Sequence, residues 1–492
     1  MSIIKISGLT FGYEGSFENV FEDVSLNLDT DWKTGFIGRN GRGKTTFLRL
    51  LMGEFEYKGS INASVDFEYF PYTPLDENEF VMDIIREISG AQDWQICREI
   101  SLLGAREDIL YRPFCTLSMG ERTKCLLAAM FLKENSFLLI DEPTNHLDSG
   151  GREALAEYLR GKKGFILVSH DRMFLDRVID HVISINRNDI EMIKGNFSAW
   201  EEERRRRDEY ELAENEKLKK EIKSLEKSAK RAAEWSANAE KKKTRTDGEL
   251  AANRRAYYGE KARKAAARAK AFENRAANAL EEKSKLLKNI EKSDDLKISG
   301  MKYHSDVICR VEHFSLMYGE GVCRDISFEV HRGDRLRLTG GNGSGKSSVL
   351  RAICGEDVPY EGKVSLGSGV IISRVEQDAE GLCGSLREYA DSFDIDYSLF
   401  LTILRKLDFG RSDFELPLES LSCGQRKKAA IARSLCQRAH LYIWDEPLNF
   451  VDVLSRMQIE RLVTEYSPTL IFAEHDGAFG DRVGTAEAAL GG

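Results

Sequence analysis

Two stretches decide the reading: GRNGRGKT, Gly38–Thr45, and GGNGSGKS, Gly340–Ser347. Both fit the pattern GxxxxGK[ST], a glycine-rich turn whose backbone N–H groups and following helix cradle phosphates. Each follows an apolar, strand-like run (TGFI, RLRLT) and leads into a helix-like one (TTFLRLL, SSVLRAI), the context the pattern needs. Outward from the loops, further pairs recur. LSMGE (Leu117–Glu121) returns as LSCGQ (Leu421–Gln425), FLLIDEP as LYIWDEP, and LVSHD as FAEHD. Lys44 and Lys346 stand 302 residues apart, Asp141 and Asp445 304, and His170 and His475 305. So small a drift means two copies of one domain, each of about 190 residues. The interval of roughly 200–298 belongs to neither copy.

Residue types at these positions point to nucleotide chemistry. Gly38, Asn40, Gly41, Gly43, Lys44, Thr45 and Thr46, with Gly340, Asn342, Gly343, Gly345, Lys346, Ser347 and Ser348, form the phosphate loops. Lys44 and Lys346 reach toward β and γ phosphates, and Thr45 and Ser347 suit Mg²⁺. FLLIDEP and LYIWDEP read as buried strands ending in carboxylates, with Asp141 and Asp445 placed for the Mg²⁺ shell. Glu142 and Glu446 come next, on the other side of the strand end, where each can polarise a water that attacks the γ-phosphate. His170 and His475 each follow a short apolar strand (FILVS, LIFAE), and their paired placement favours a γ-phosphate contact over a structural role. Tyr13 and Tyr318 precede the loops, either to stack on adenine or to sit in the core.

Composition bounds the alternatives. The 492 residues are 42% hydrophobic and 31% charged, an ordinary globular balance with somewhat more charge than usual. No run of about 18 apolar residues occurs, which predicts no membrane span. The N-terminal MSIIKISGLTFGYEG lacks the charged and apolar regions of a secretory signal. Nine scattered cysteines with no CxxC pair favour reduced thiols in the cytoplasm over a disulfide frame or a zinc site. The net charge of −9 hides a polarised chain. Residues 241–275 hold 12 Lys/Arg against 4 Asp/Glu, a local +8, so the remainder carries −17.

The order of phosphate loop, LSxG signature, apolar-DE strand, aspartates Asp148 and Asp452, and histidine resembles that of ATP-binding cassette ATPases. The resemblance implies an α/β fold with two tandem cassettes that meet head to tail within one monomeric chain and bind ATP and Mg²⁺ between them. Ser422 and Gly424 would complete the site of Lys44, and Ser118 and Gly120 that of Lys346. Gln377, in SRVEQD, stands where the family has a glutamine that reaches metal and nucleotide; the first copy has Tyr72 there. The signatures depart at Met119 and Cys423, and the second copy reads PLNFVD where the first reads PTNHLD, so the sites are expected to hydrolyse unequally.

The interval between cassettes reads as a long α-helical hairpin. Leu218, Ile222, Leu225, Ala229 and Ala232 follow heptad spacing, as do Ala276, Leu280, Leu287 and Ile290, and the chain has no proline from 144 to 358. TDG at 246–248 and Gly259 mark the turn, and an arm of about 40 residues extends about 60 Å. The bland reading is a spacer. The basic tip near 241–259 instead suits RNA: Lys241, Lys242, Lys243, Arg245, Arg254 and Arg255 for phosphates, Tyr257 and Tyr258 for unpaired bases. Two cassettes so joined, at 1–199 and 299–492 with the linker at 200–298, resemble the ABC-F family of ribosome-binding ATPases. Tyr72–Leu117 and Gln377–Leu421 are nearly equal in length, leaving no room for an added arm, and 17 residues follow His475. These features look more like the antibiotic-resistance branch, and GRNGRGKTT, DEPTNHLD and DEPLNFVD are similar to its Lsa- and Vga-type members. The resemblance implies binding to the bacterial 70S ribosome, with the linker against 23S rRNA and P-site tRNA. It also implies protection from lincosamides, pleuromutilins and streptogramin A, with neither DNA nor a stable membrane partner. A housekeeping factor for stalled ribosomes and a transporter ATPase remain the alternatives.

Overall fold

The computed structural model describes residues 2–14, 19–145, 147–185, 190–210, scattered positions to 227, 301–317, 325–341, 343–378, 381–407, 409–410 and 412–490. Most of the expected hairpin, with its candidate RNA contacts (Lys241, Lys242, Lys243, Arg245, Arg254, Arg255, Tyr257 and Tyr258), lies outside the described residues, as do Tyr318 and Asn342. The chain divides into two compact units, Met1–Trp200 with Asp295–Gly492, and Glu201–Asp294. In the second, residues 201–210 are helical. Both cassettes lie in the first.

The first cassette begins with strands β1 (Ile3–Phe11), β2 (Phe21–Asp29) and β3 (Lys33–Gly38), then helix α1 (Lys44–Leu51). Strands β4 (Lys58–Asn62) and β5 (Asp66–Phe70) lead to helices α2 (Val81–Ser89), α3 (Asp93–Leu102) and α4 (Met119–Leu132). The rest alternates: β6 (Ser136–Asp141), α5 (Ser149–Arg160), β7 (Phe165–Val168), α6 (Arg172–Val178), β8 (His181–Ile185) and β9 (Ile190–Lys194). β1 alternates buried and exposed residues over much of its length, and it joins the antiparallel sheet β2-β1-β4. β6 and β7 are nearly uninterrupted apolar runs and lie inside the sheet β5-β6-β7-β3-β8-β9, parallel except for β8 against β9. Sheets covered on both faces demand such runs.

The second cassette repeats this plan with β10 (Val307–Leu316), β11 (Ile326–His331), β12 (Arg335–Thr339), α7 (Lys346–Ile353), β13 (Tyr360–Leu366) and β14 (Ile372–Val375). It continues with α8 (Leu386–Ser392), α9 (Tyr397–Lys406), α10 (Cys423–Cys436), β15 (Leu441–Asp445), α11 (Val453–Tyr466), β16 (Leu470–Ala473), α12 (Gly477–Val483) and β17 (Ala486–Ala489). Its sheets are the antiparallel β11-β10-β13 and the parallel β14-β15-β16-β12-β17. Phe70 pairs with Ile140 and Val375 with Trp444, so sheet register aligns Tyr72 with Gln377 as the sequence implied. No described helix is long and apolar enough to cross a membrane.

Where the cassettes meet, they do not contribute equally. Val453 and Leu454, at the start of α11, pack into the core of the first cassette, and Asp452 before them is 0% exposed. The equivalent first-copy stretch begins with Asp148, which is exposed, and continues with serine and glycine. An apolar anchor exists on one side only.

Candidate functional site

Both phosphate loops turn into their helices through a left-handed glycine, Gly43 (φ 89°) and Gly345 (φ 94°), a conformation that costs other residues about 1–2 kcal/mol. At Gly43 a Cβ would also stand 2.6 Å from Val20 Cγ1. Lys44 Nζ donates to the carbonyls of Gly38 (2.7 Å) and Arg39 (3.2 Å) and to Asn40 Oδ1 (3.3 Å). Lys346 Nζ donates likewise to Gly340 O and Gly341 O, both at 2.9 Å. Each ammonium is thus held inside its own loop, and burial lowers both lysine pKa values.

Strand ends deliver the carboxylates. Asp141 Oδ2 accepts from Thr45 Oγ1 at 3.0 Å and from Tyr69 Oη at 3.0 Å. Asp445 is buried, its carboxyl pushed up by that burial and drawn back by Ser347, and its Oδ1 has no hydrogen-bond partner. An orphaned carboxylate oxygen beside a loop hydroxyl fits a hard cation. Among the described residues no group of three or more His, Cys, Asp or Glu forms a metal cage. One carboxylate and one hydroxyl per loop suit Mg²⁺ that arrives with phosphates and keeps its waters. Gln377 Nε2 donates to Glu446 Oε2 (3.1 Å).

Glu142 and Glu446 lie in the left-handed region, at φ 52° and 44°, while their N–H groups still donate to Val168 O and Ala473 O at 2.9 Å. Such backbone costs of order 1–3 kcal/mol and concentrates at functional sites. It aims each carboxylate at a histidine: His170 Nε2 is 3.3 Å from Glu142 Oε1, and His475 Nε2 is 3.3 Å from Glu446 Oε1. The electrostatics differ. Burial, with Asp141 beside it, pushes Glu142 up to about 8, against the pull of Arg456 and Lys44, and burial holds His170 well below its ordinary value. Glu446 is instead lowered, chiefly by His475. A carboxyl with a raised pKa makes the stronger base once a proton is lost.

The signatures are helix starts. Ser422 caps α10 by accepting from Gln425 N (3.3 Å) while Gln425 Oε1 accepts from Ser422 N (3.0 Å), and Ser118 and Glu121 repeat this box at α4. A cavity of about 1400 Å³ lies between cassettes, with Lys44, Thr45, Glu142 and His170 facing Ser422 and Gly424. Asn40 Nδ2 donates across it to Phe450 O at 2.9 Å. Tyr13 lines one end, bonded to Thr46 Oγ1 at 2.7 Å. The structure therefore brings together the Lys44 half and the Ser422 half, while Ser118 and Met119 stay exposed. Lys428, behind the second signature, reaches Asp452 Oδ2 at 2.8 Å.

Sequence reasoning missed Tyr69, Phe409, Asp413, Arg456 and Lys428. Phe409 and Asp413 line the cavity from the second cassette, and nothing in their local sequence marks them. Tyr69 carried a faint signal, an aromatic hydroxyl on the strand beside the Asp141 strand.

A family model described as "ABC transporter" matches residues 21–145 and 323–449, just over half of the chain. The Bacillus subtilis protein named "Ribosome protection protein VmlR" is 27% identical over 95% of this chain and 83% of its own length. "Energy-dependent translational throttle protein EttA" of Haemophilus influenzae is 25% identical over 95% of this chain and 88% of its own. Among solved structures, archaeal aABCE1, described as a ribosome recycling factor in complex with stalk protein aP1, superposes with a TM-score of 0.64 at 16% identity. It covers 98% of this chain and 87% of that one. A structure titled "RNase-L Inhibitor" gives a TM-score of 0.63 at 17% identity, over 98% and 87% of the two chains. At such identity these structures speak to fold alone. Two matched cassettes, each with its loop, strand-end carboxylates and histidine in place, mean that the chain belongs to the ABC transporter family of ATP-binding cassettes and is an ATPase.

Proposed function

We propose that this protein is an ABC-F ATPase that binds the bacterial 70S ribosome and protects the peptidyl-transferase centre from lincosamides, pleuromutilins and streptogramin A. The observation that carries the reading is the alignment of 95% of the chain with a protein named for ribosome protection, together with the +8 segment 241–275 set between two cassettes. In this reading ATP draws the cassettes together and hydrolysis at Glu142 and Glu446 releases them, with Mg²⁺ at Thr45–Asp141 and Ser347–Asp445. The tip, through Arg254, Arg255, Tyr257 and Tyr258, contacts 23S rRNA and P-site tRNA in the cytoplasm. Phosphate contacts supply most of such binding, so it weakens steeply with salt.

The test is sedimentation of the Glu142→Gln/Glu446→Gln variant with 70S ribosomes. ATP-dependent, salt-sensitive cosedimentation supports the reading; its absence with ATP refutes it. A second reading, a translation factor without a protective role, draws on the comparable match to EttA. Inhibitory concentrations of the three drug classes separate the two: unchanged values in a deletion strain leave the translation factor.

A further inference from the structure

The cassette interface contains a buried charge cluster with no charged counterpart of its Arg172–Glu460 pair at the equivalent positions. Arg172, in the first turn of α6, is 3% exposed and crosses from the first cassette to the second. Its Nη2 lies 2.8 Å from Glu460 Oε2 and 3.6 Å from Asp476 Oδ1. Its nitrogens make no hydrogen bond of good geometry, so charge alone holds it there. The positions equivalent to Arg172 and Glu460 in the opposite cassettes are Gly477 and Ala156, which carry no charge. At Gly477 a Cβ would stand 2.6 Å from Met173 Sδ, so the two histidine-bearing segments pack directly against each other here.

Of the acids that Arg172 faces, Asp476 is the residue directly after His475. Asp476 caps α12 through Phe479 N (2.9 Å) and accepts from Arg456 Nη1 (3.1 Å). Glu474, also buried, accepts from His475 N (2.8 Å) and Asp476 N (3.2 Å) through one oxygen and from Leu448 N (3.0 Å) through the other. In the first cassette the residue equivalent to Glu474 is Ser169, a neutral partner of Thr144 (3.1 Å), and Asp171 has Arg152 at 3.3 Å within its own cassette. The segment around His475 thus gathers three buried acids, Glu460, Glu474 and Asp476, against the buried Arg456 and Lys427 of its own cassette and Arg482 at the half-exposed rim. Buried acids need cations held beside them. Arg172 is the cation that the first cassette adds to this group.

We propose that Arg172 is a positioning residue for the second nucleotide site: by reaching Glu460 and Asp476 it seats His475 when the cassettes are together, whereas His170 needs no such tie. Turnover at the Lys346 site then depends on contact made beside the Lys44 site. This rests on the assignment of Glu142 and Glu446 to hydrolysis.

The experiment measures steady-state ATP hydrolysis of Arg172→Gln and Arg172→Lys in two backgrounds, Glu142→Gln, which leaves the second site active, and Glu446→Gln, which leaves the first. We expect Arg172→Gln to lower kcat about tenfold in the Glu142→Gln background with KM changed less than about twofold, and to change kcat less than about twofold in the other. Arg172→Lys, which keeps the charge without the fork, falls between and serves alone if the glutamine variant does not fold. Equal losses in both backgrounds indicate a merely structural interface and overturn the proposal, as does no loss or a loss confined to the first site. Full turnover in both Gln backgrounds before Arg172 is touched overturns the glutamate assignment instead, and with it the premise.

Discussion

Replacing Lys428 by Met should destabilise the second cassette by an amount the structure allows to be worked out. Lys428 is 4% exposed and Asp452 0%, with 2.8 Å between Nζ and Oδ2. Removing one partner of a buried pair costs about 3–5 kcal/mol, because the remaining charge is left uncompensated. Asp452 keeps two donors, Ser455 N and Ser455 Oγ, both at 2.9 Å, which places the loss near the lower end, about 3 kcal/mol. With a urea dependence of about 3 kcal/mol per molar for a domain of this size, the midpoint falls by about 1 M. Trp444 reports on this cassette: it is fully buried and donates to Ser434 Oγ at 3.0 Å. Replacing Trp32, Trp94, Trp200 and Trp235 by Phe isolates its emission. The double variant Lys428→Met/Asp452→Asn removes both charges and should recover at least half of the loss. A midpoint shift below about 0.3 M, or a double variant no more stable than the single one, refutes the reasoning.

Acid should act through the same group. Burial opposes ionisation of Asp452, but Lys428 and Ser455 hold its carboxyl well below the usual range. Its contribution is therefore complete above the unfolded value of about 4 and is lost as pH falls through the lower, folded one; urea midpoints taken from pH 5 to 3 should drop less in the double variant than in the wild type. Gly424→Ala should lower hydrolysis at the first site at least about tenfold in the Glu446→Gln background, because its Cβ would stand 2.5 Å from Phe450 O and 3.2 Å from Asn40 Nδ2. Unchanged turnover would mean that Gly424 does not need to approach the loop. Tyr69→Phe removes one of two donors to Asp141 Oδ2. About 1 kcal/mol of lost seating should lower kcat/KM at the first site about fivefold and leave the second unchanged.

The cassettes could be read from sequence because their determinants are local. A glycine-rich turn, a serine followed at the third position by Glu or Gln, and an apolar run ending in Asp-Glu each specify a short geometry, and the duplication set them in register. What escaped depends on residues far apart in the chain. The Arg172–Glu460 pair spans the cassettes, and Lys428–Asp452 becomes a pair only when α10 and the turn before α11 are folded. The left-handed Glu142 and Glu446 escaped for another reason: glutamate has no preference for that region, so only the surrounding β6–β7 and β15–β16 pairing imposes it. The difference between Asp-Ser-Gly-Gly and Asp-Val-Leu-Ser was visible in sequence, but its meaning depended on what the second stretch touches.

That contact bears on how the chain comes into being. Val453 and Leu454 belong to the core of a domain whose own strands and helices end near residue 200. During synthesis from the N-terminus, the first cassette therefore emerges with part of its core unfilled. At about 5–20 residues per second, the roughly 250 residues still to be made take on the order of 10–50 s. For that interval the apolar surface awaiting α11 is exposed to other chains, and only the arrival of the second cassette covers it. The first cassette is not a finished fold by itself, and a chain cut between the two should leave a first half that aggregates more readily than its own strand order would suggest.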